Sequence, residues 1–300
     1  MATFCYFSKA TTLDLPQPFD CSMPGAAMTE MDCVAFLQWA LPKLGFKWAG
    51  YRKVRRQVCK RVHRRIRELG LDGYGSYRAH LETQADEWGR LDKLCRITIS
   101  RFFRDYGVFE ALASEVLPEL ARITQDKGRP LRAWSIGSAS GEEAYSLIIL
   151  WHLGLATEWP GVALEMVGTD TDPVMLERAA AARYSRGSLK DLPEGWCEKA
   201  FKHKGGRWCL KPKFKTGVAW LKQDIRQEAP DGPFDLVFCR NLAFTYFDNT
   251  QQRDTLARIS RVLRSGGALA LGAHEALLNN VPGFAPWPGA RHIWLRVPLP

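Results

Sequence analysis

No stretch of this 300-residue chain approaches the roughly 18 consecutive apolar residues that a membrane span requires. Among residues 1–28 the only cation is Lys9, and no basic region is followed by an apolar run, so the sequence carries no sign of a secretory leader. That stretch mixes Pro16, Pro18 and Pro24 with small polar residues and is expected to be an irregular leader, a processed organellar peptide being the alternative. The eight cysteines, at positions 5, 21, 33, 59, 95, 197, 209 and 239, form no C-x-x-C pair and no Cys/His cluster with metal spacing. Neither a zinc site nor a disulfide framework is therefore expected, and a reducing cytoplasm fits best. Internal repeats are absent, and so is the G-x-G-x-x-G spacing of a dinucleotide fold.

What the chain does have is a sharp strand-turn-helix corner, Trp134-Ser-Ile-Gly-Ser-Ala-Ser-Gly-Glu-Glu-Ala-Tyr-Ser-Leu147. Gly137 and Gly141 let the backbone come close to a ligand, and Glu142 and Glu143 fall in the first turn of the helix. Two carboxylates there would repel a pyrophosphate. S-adenosylmethionine has no phosphate and a positive sulfonium, so the corner favours that methyl donor. The second strand, Leu164–Asp170, ends in an acid placed to take both ribose hydroxyls, with Asp172 expected to cap the helix that Pro173 opens.

The formal charge of +10 calls for an acidic partner: nucleic acid, an anionic membrane surface or an acidic protein face. Its densest source is Tyr51–Gly70, where Val54, Val58, Val62, Ile66 and Leu69 recur at helical spacing. The other faces of that helix carry nine cations, Arg52, Lys53, Arg55, Arg56, Lys60, Arg61, Arg64, Arg65 and Arg67, against Glu68 alone. A solvated face is the plain alternative to a docking surface. Further helices are expected over 74–84 and 87–99, and Arg101-Phe-Phe-Arg-Asp105 brings Arg104 to the cleft, where its planar fork suits a carboxylate. No aromatics are interleaved with the basic residues, which argues against nucleic acid without excluding it.

The organisation expected is a leader over 1–28, a basic all-α domain over 29–124 and an α/β domain over 125–300, with Gln125–Pro130 as linker. A small antiparallel β-subdomain, around Lys204-Gly-Gly-Arg207, is expected at about 196–221. Strands at 220–225, 234–241, 268–272 and 293–297, a helix over 250–263 and a turn at Ser265–Gly267 complete the pattern. Asp224 is a candidate acceptor for an adenine amino group, or a loop cap. Arg240 and Asn241 end a buried strand at the carboxyl edge, where ligands bind in open α/β folds.

Six of these motifs, in order, resemble the CheR-type methyltransferases, the chemotaxis-receptor glutamate O-methyltransferases: the basic helix ending Arg67-Glu-Leu-Gly-Leu71, Arg101–Asp105, Ser140-Gly-Glu-Glu-Ala-Tyr-Ser146, Gly168-Thr-Asp-Thr-Asp172, Phe238-Cys-Arg-Asn241 with Tyr246-Phe-Asp248, and Gly272-Ala-His-Glu275. The resemblance, over about residues 30–280, implies a class I methyltransferase Rossmann-like sheet with an inserted β-subdomain behind a helical domain, and S-adenosyl-L-methionine as cofactor. It places cofactor contacts at Thr98, Ser100, Arg104, Glu143, Asp170, Asp224, Ile225, Arg240 and Asn241, with Tyr246 beside the transferred methyl. The family usually has Asn at 98, Thr at 100 and Asn-Leu at 224–225. Here Asn241 and Tyr246 are one residue further apart than usual, and the 204–207 loop is too short to suggest binding of a receptor tail.

The implied reaction is O-methylation of a glutamate on an acidic protein docked on the basic helix, with Arg104 and Tyr246 orienting the reactants. Methylation of a small molecule or nucleic acid, and a non-catalytic module that binds the cofactor or a partner, stay open. His274 is not needed as a base for an ionised acceptor and is expected to shape the cleft wall through a hydrogen-bonded imidazole.

Overall fold

The computed structural model describes residues 29–278 and 281–298; the leader at 1–28 lies outside them. The described chain begins with helices α1 (Glu30–Lys43), α2 (Trp48–Tyr51), α3 (Arg55–Glu68), α4 (Tyr74–Thr83) and α5 (Ala85–Cys95). Thr29 caps α1 reciprocally with Asp32: its hydroxyl accepts from Asp32 N–H at 3.2 Å while its own N–H donates to the Asp32 carboxylate at 2.9 Å. The basic stretch is not one helix. Residues 52–54 turn between α2 and α3, and of the expected stripe Val58, Val62 and Ile66 are buried while Val54 and Leu69 are half-buried beside the helix ends.

After an extended segment, α6 (Tyr106–Ala111), a π turn over Leu112–Val116 and α7 (Leu117–Asp126) lead into β1 (Leu131–Ile136). Then follow α8 (Glu142–Leu150), a second π turn over Trp151–Leu155, β2 (Leu164–Asp170) and α9 (Pro173–Ala181). The small sheet is built from β3 (Arg183–Tyr184), β4 (Phe201–Lys204) and β5 (Arg207–Leu210), with α10 (Trp196–Ala200) packed before β4. The remaining elements are β6 (Val218–Lys222), β7 (Phe234–Phe238), α11 (Ala243–Tyr246), α12 (Asn249–Val262), β8 (Leu263–Ala270), β9 (Phe284–Pro286) and β10 (Ile293–Arg296).

The main sheet runs β6-β2-β1-β7-β8-β10-β9, parallel from β6 to β8 and antiparallel at β10 and β9. Parallel strands covered on both faces need apolar residues pointing both ways, and β7, Phe-Asp-Leu-Val-Phe, is buried at every position. Its one acid, Asp235, is held by Arg129 at 2.7 and 2.8 Å and by the Arg132 N–H at 3.0 Å. One face of the sheet shares its core with α6, α7, α8 and the small sheet, the other with α1–α5, α11 and α12.

Several expectations are corrected. Ser265–Gly267 is no turn but part of β8, whose pairing with β7 shifts register between Phe234 and Leu236. β9 was not foreseen. Within the span expected for the subdomain, β6 pairs with β2 in the main sheet, whereas Arg183–Tyr184, outside that span, joins the small sheet. Cys33 and Cys59 form a disulfide that ties α1 to α3 across a sequence separation of 26, so the expectation of no disulfide fails for this pair. Spacing rules miss it because the partners meet only once two helices pack. Closing a loop of that length is worth about 3–4 kcal/mol. Reductant is therefore expected to lower the thermal unfolding midpoint of the wild type and leave Cys33→Ala/Cys59→Ala unaffected; an unchanged wild-type midpoint would show that the bond contributes nothing.

Candidate functional site

The carboxyl ends of β6, β2, β1 and β7 open on a continuous cleft. Its outer part lies between Asp170, Gln223, Asp224, Ile225, Tyr51 and Tyr246. An inner part lies between Ser100, Arg104, Ser138, Glu143, Arg240 and Asn241. Thr98, Gly137 and Leu242 line both. Gly137 has φ +66 and a Cβ there would sit 2.8 Å from Leu242 Cδ2, so a side chain would be both strained and obstructed.

Asp170 ends β2 as expected. Its Oδ2 accepts from Ala139 N–H and its Oδ1 from Asp172 N–H, both at 2.9 Å, which aims the carboxylate along the cleft. Burial pushes its carboxyl above the ordinary range while these two amides pull it back. Asp172 caps α9 through Val174 N–H at 2.9 Å, as the sequence suggests.

At the inner end the expected residues turn out to bind one another. The Arg240 side chain, 1% exposed, donates to Glu143 Oε2 at 3.0 Å, to Asp105 Oδ2 at 3.1 Å and to the Arg104 carbonyl. Glu143 also accepts from Ser135 Oγ at 2.7 Å. Burial raises the Glu143 carboxyl and Arg240 lowers it, the net shift being upward; Asp105 is raised by burial but held below its usual value by Arg240, the Ala273 amide and Asn241. Arg240 thus organises the wall, whereas Glu143 keeps free acceptor capacity toward the cleft. The Arg104 guanidinium donates to Ile99 O at 2.8 Å. Burial raises the Glu142 carboxyl, and Ser140 and Ser100 partly oppose the rise.

Two carboxylates within the sequence motifs have no role that local pattern assigns. Asp105 is one. The other, Glu275, accepts from Asn241 N–H at 2.7 Å, Gly272 N–H at 2.8 Å and Thr245 Oγ1 at 2.6 Å, pinning the loop between Asn241 and Tyr246 to the end of β8. Four residues other than glycine around the cleft, Phe103, Asp105, Ala139 and Asn241, have φ between 46° and 57°. Left-handed backbone at such residues costs on the order of 1–3 kcal/mol each and is held in place by these bonds.

The helical half closes the outer cleft. Lys47 N–H donates to Tyr246 O and Lys47 Nζ to Phe244 O, both at 2.8 Å, and the Tyr51 and Tyr246 rings pack at 5.1 Å. Tyr246 is buried; burial raises its hydroxyl pKa, and the nearby Arg104 charge opposes this. His274 is corrected: it is exposed and makes no side-chain hydrogen bond among the described residues. Asp224 is also engaged. Its oxygens accept from the Arg226 backbone at 2.9 Å and from the Arg226 guanidinium at 2.7–3.1 Å, and Arg226 in turn holds Asp92 of α5 at 2.6 Å. No cluster of metal-ligating side chains occurs among the described residues.

Residues 98–291, which contain this cleft from Thr98 onward, match the family profile "CheR methyltransferase, SAM binding domain". The chain belongs to the CheR methyltransferase family. Chemotaxis protein methyltransferase 1 of Pseudomonas aeruginosa is 34% identical over 236 residues, covering 75% of this chain and 83% of that protein. The chemotaxis protein methyltransferase of Listeria monocytogenes is 29% identical over 250 residues, covering 83% and 92%. An uncharacterized 104.1 kDa protein of Rhodobacter capsulatus is 31% identical over 239 residues, 79% of this chain, and there the chain spans 25% of its relative's length. Among solved structures, the N-methyltransferase NodS of Bradyrhizobium japonicum WM9 is 19% identical with a TM-score of 0.29, covering 51% of this chain and 58% of that one. As a CheR-family member the chain is an S-adenosylmethionine-dependent methyltransferase. The cleft fits that donor: an acid at the end of β2, a glycine turn without a phosphate fingerprint, and an inner end holding both a carboxylate and a guanidinium.

Proposed function

We propose that the enzyme O-methylates a glutamate carboxylate on an acidic protein that docks along α3. The observation that carries this reading is the charge left over on that face. Arg55, Arg61 and Arg65 are consumed inside the molecule, by Glu30, by the carbonyls of Leu94 and Arg96, and by Glu87. Lys60, Arg64 and Arg67 on α3, with Arg52 and Lys53 in the turn before it, remain exposed and form no ion pair among the described residues. So one-sided a charge is self-repelling until an acidic surface meets it. The names of relatives that are chemotaxis methyltransferases support a protein acceptor.

The donor supplies an electrophilic methyl on sulfur. An ionised carboxylate attacks it in line without a base, so what the chain contributes is placement, worth roughly 7–11 kcal/mol. In this reading Asp170 holds the ribose, Glu143 takes the methionine ammonium, Thr98, Ser100, Gly137 and Ile225 shape the walls, and Arg104 and Tyr246 orient donor and acceptor. Arg240 and Asn241 fix the loop that carries Tyr246. The helical docking unit is taken to end near Arg96, since α6 and α7 share their core with the sheet. No helix of the described residues is long and apolar enough to cross a membrane, and the proposed compartment is the cytoplasm.

The test is transfer of labelled methyl from the donor to proteins of an extract of the source organism. Label released as methanol by mild alkali is expected, since methyl esters hydrolyse where methylated amines do not. Arg104→Ala and Tyr246→Phe should lower turnover more than folding stability, and Lys60→Glu/Arg64→Glu should raise the KM for the protein acceptor without weakening donor binding. Alkali-stable label, or label only in nucleic acid or small molecules, would overturn the proposal.

A further inference from the structure

The disulfide between Cys33 and Cys59 is not sealed between α1 and α3. Both cysteines line a surface groove, together with Glu30 of α1 and Arg56, Lys60, His63 and Arg67 of α3. Cys33 is buried, whereas Cys59 is half-buried and is the more open of the pair. Spacing explains the setting: Arg56, Cys59, Lys60, His63 and Arg67 fall at i, i+3, i+4, i+7 and i+11, which is one face of a helix. The acid in the groove, Glu30, is shared between Arg55 at 3.0 Å and Arg56 at 3.6 Å. Lys60 and Arg67 keep their charge without an ion-pair partner among the described residues.

Thiol–disulfide exchange is carried by a thiolate, and its rate depends on access, on which sulfur is attacked and on how readily the other leaves. Cations around the bond act on two of these. They raise the local concentration of a negatively charged thiol, and they favour the charge that appears on the departing sulfur. A neutral or cationic thiol gains only the second effect.

We infer that this groove receives an anionic low-molecular-weight thiol of the glutathione class, and that the Cys33–Cys59 bond is a site of exchange as well as a brace between helices. The incoming thiolate attacks Sγ of Cys59, the S–S bond breaks, and Cys33 leaves as a thiolate that takes a proton from solvent. A second thiolate attacks the small-molecule sulfur of the mixed disulfide and frees Cys59, which is protonated in turn. Two small thiols are thus oxidised to their disulfide for the one protein bond reduced, and the reverse sequence, starting from that disulfide, restores the bond. The site itself does not depend on the proposed acceptor; only a consequence of the adduct, added carboxylates on the face proposed to dock an acidic protein, rests on that reading.

Starting from the oxidised protein, rates of bond opening by glutathione, neutral mercaptoethanol and cationic cysteamine test this, each divided by the same thiol's rate with hydroxyethyl disulfide so that intrinsic nucleophilicity cancels. At low salt the normalised rate should be about tenfold higher for glutathione than for cysteamine, with mercaptoethanol between them. The ratio should collapse toward one at high salt and in Lys60→Gln/Arg67→Gln. In Cys33→Ala, glutathione disulfide should place its adduct on Cys59, read by peptide mass mapping, whereas folded Cys59→Ala should leave Cys33 unmodified. Equal normalised rates for the three thiols, a preference unchanged in Lys60→Gln/Arg67→Gln, an adduct on Cys33 of folded Cys59→Ala, or failure of glutathione disulfide to re-form the bond would overturn the assignment. None of these readouts involves methyl transfer, so failure here leaves the acceptor assignment standing, and failure of that assignment leaves these results unchanged.

Discussion

Arg240→Met is expected to lower folding stability by about 3–5 kcal/mol, the cost of stranding buried carboxylates when their common partner is removed. Glu143 is 14% and Asp105 19% exposed in their side chains, and both bind the same guanidinium. Methionine fills much of the arginine's volume, so the loss measures charge more than cavity. The deficit should depend on pH, and the sign follows from the two shifts. Asp105 is depressed in the folded protein, so its contribution is present above the ordinary carboxylate range and fades in the wild type as pH falls through the folded value. Glu143 is already raised by burial, and without Arg240 it rises further, which penalises the variant at neutral pH and spares it once protonated. The Glu143 effect narrows the gap as pH falls from neutral toward the ordinary carboxylate range, and the Asp105 effect narrows it further below about 4. Urea unfolding of the two proteins at neutral pH and near pH 4 checks this; a deficit below about 1 kcal/mol, or one independent of pH, would show that the pair is not buried as described.

Gly50→Ala should cut turnover by about a hundredfold although it lies in the helical half and touches no substrate. The added Cβ would stand 2.2 Å from Thr245 O, 3.0 Å from Thr245 C and 3.2 Å from Tyr246 Cα. All three are backbone atoms, so nothing can swing aside. The loop carrying Tyr246 must move, and if Tyr246 orients the reactants as proposed, its displacement by about 1 Å can cost around a hundredfold in rate. Gly75→Ala is the control: it lies in α4 with open space where the Cβ would go, and should be neutral or slightly stabilising. Steady-state kinetics with a circular dichroism melt of each variant separates the outcomes. A Gly50→Ala enzyme with wild-type turnover would mean that the α2 contact does not position the loop.

Much of the fold and the site is legible in local pattern. The corner at Gly137–Glu143, the buried face of α3, the cap at Asp172 and the acid ending β2 each follow from chemistry within a few residues. What local pattern misses depends on partners far apart in the chain. Arg240 gives no local sign of the bonds it makes to Glu143 and Asp105, 97 and 135 positions away. Asp224 looks like an acceptor until the arginine two residues on takes it. Glu275 collects donors from three places, and its role has no local signature. Likewise Cys33 and Cys59 pair only because α1 packs on α3. Ser265-Gly-Gly267 misleads for a different reason: glycines that signal a turn in isolation are here recruited to a strand, with Gly267 pressed between Leu263, Arg264 and Asp235.

The grip of Lys47 Nζ on the Phe244 carbonyl joins residues 197 positions apart. For the history of the chain this means that its two halves are not free to diverge separately. An exchange in the helical half that moves Lys47 also shifts a wall of the reaction chamber, so it has to be accompanied by repair around residues 243–247. Relatives in which the helical half has changed here should carry linked changes at these two distant places, a hereditary trace of one short lysine contact.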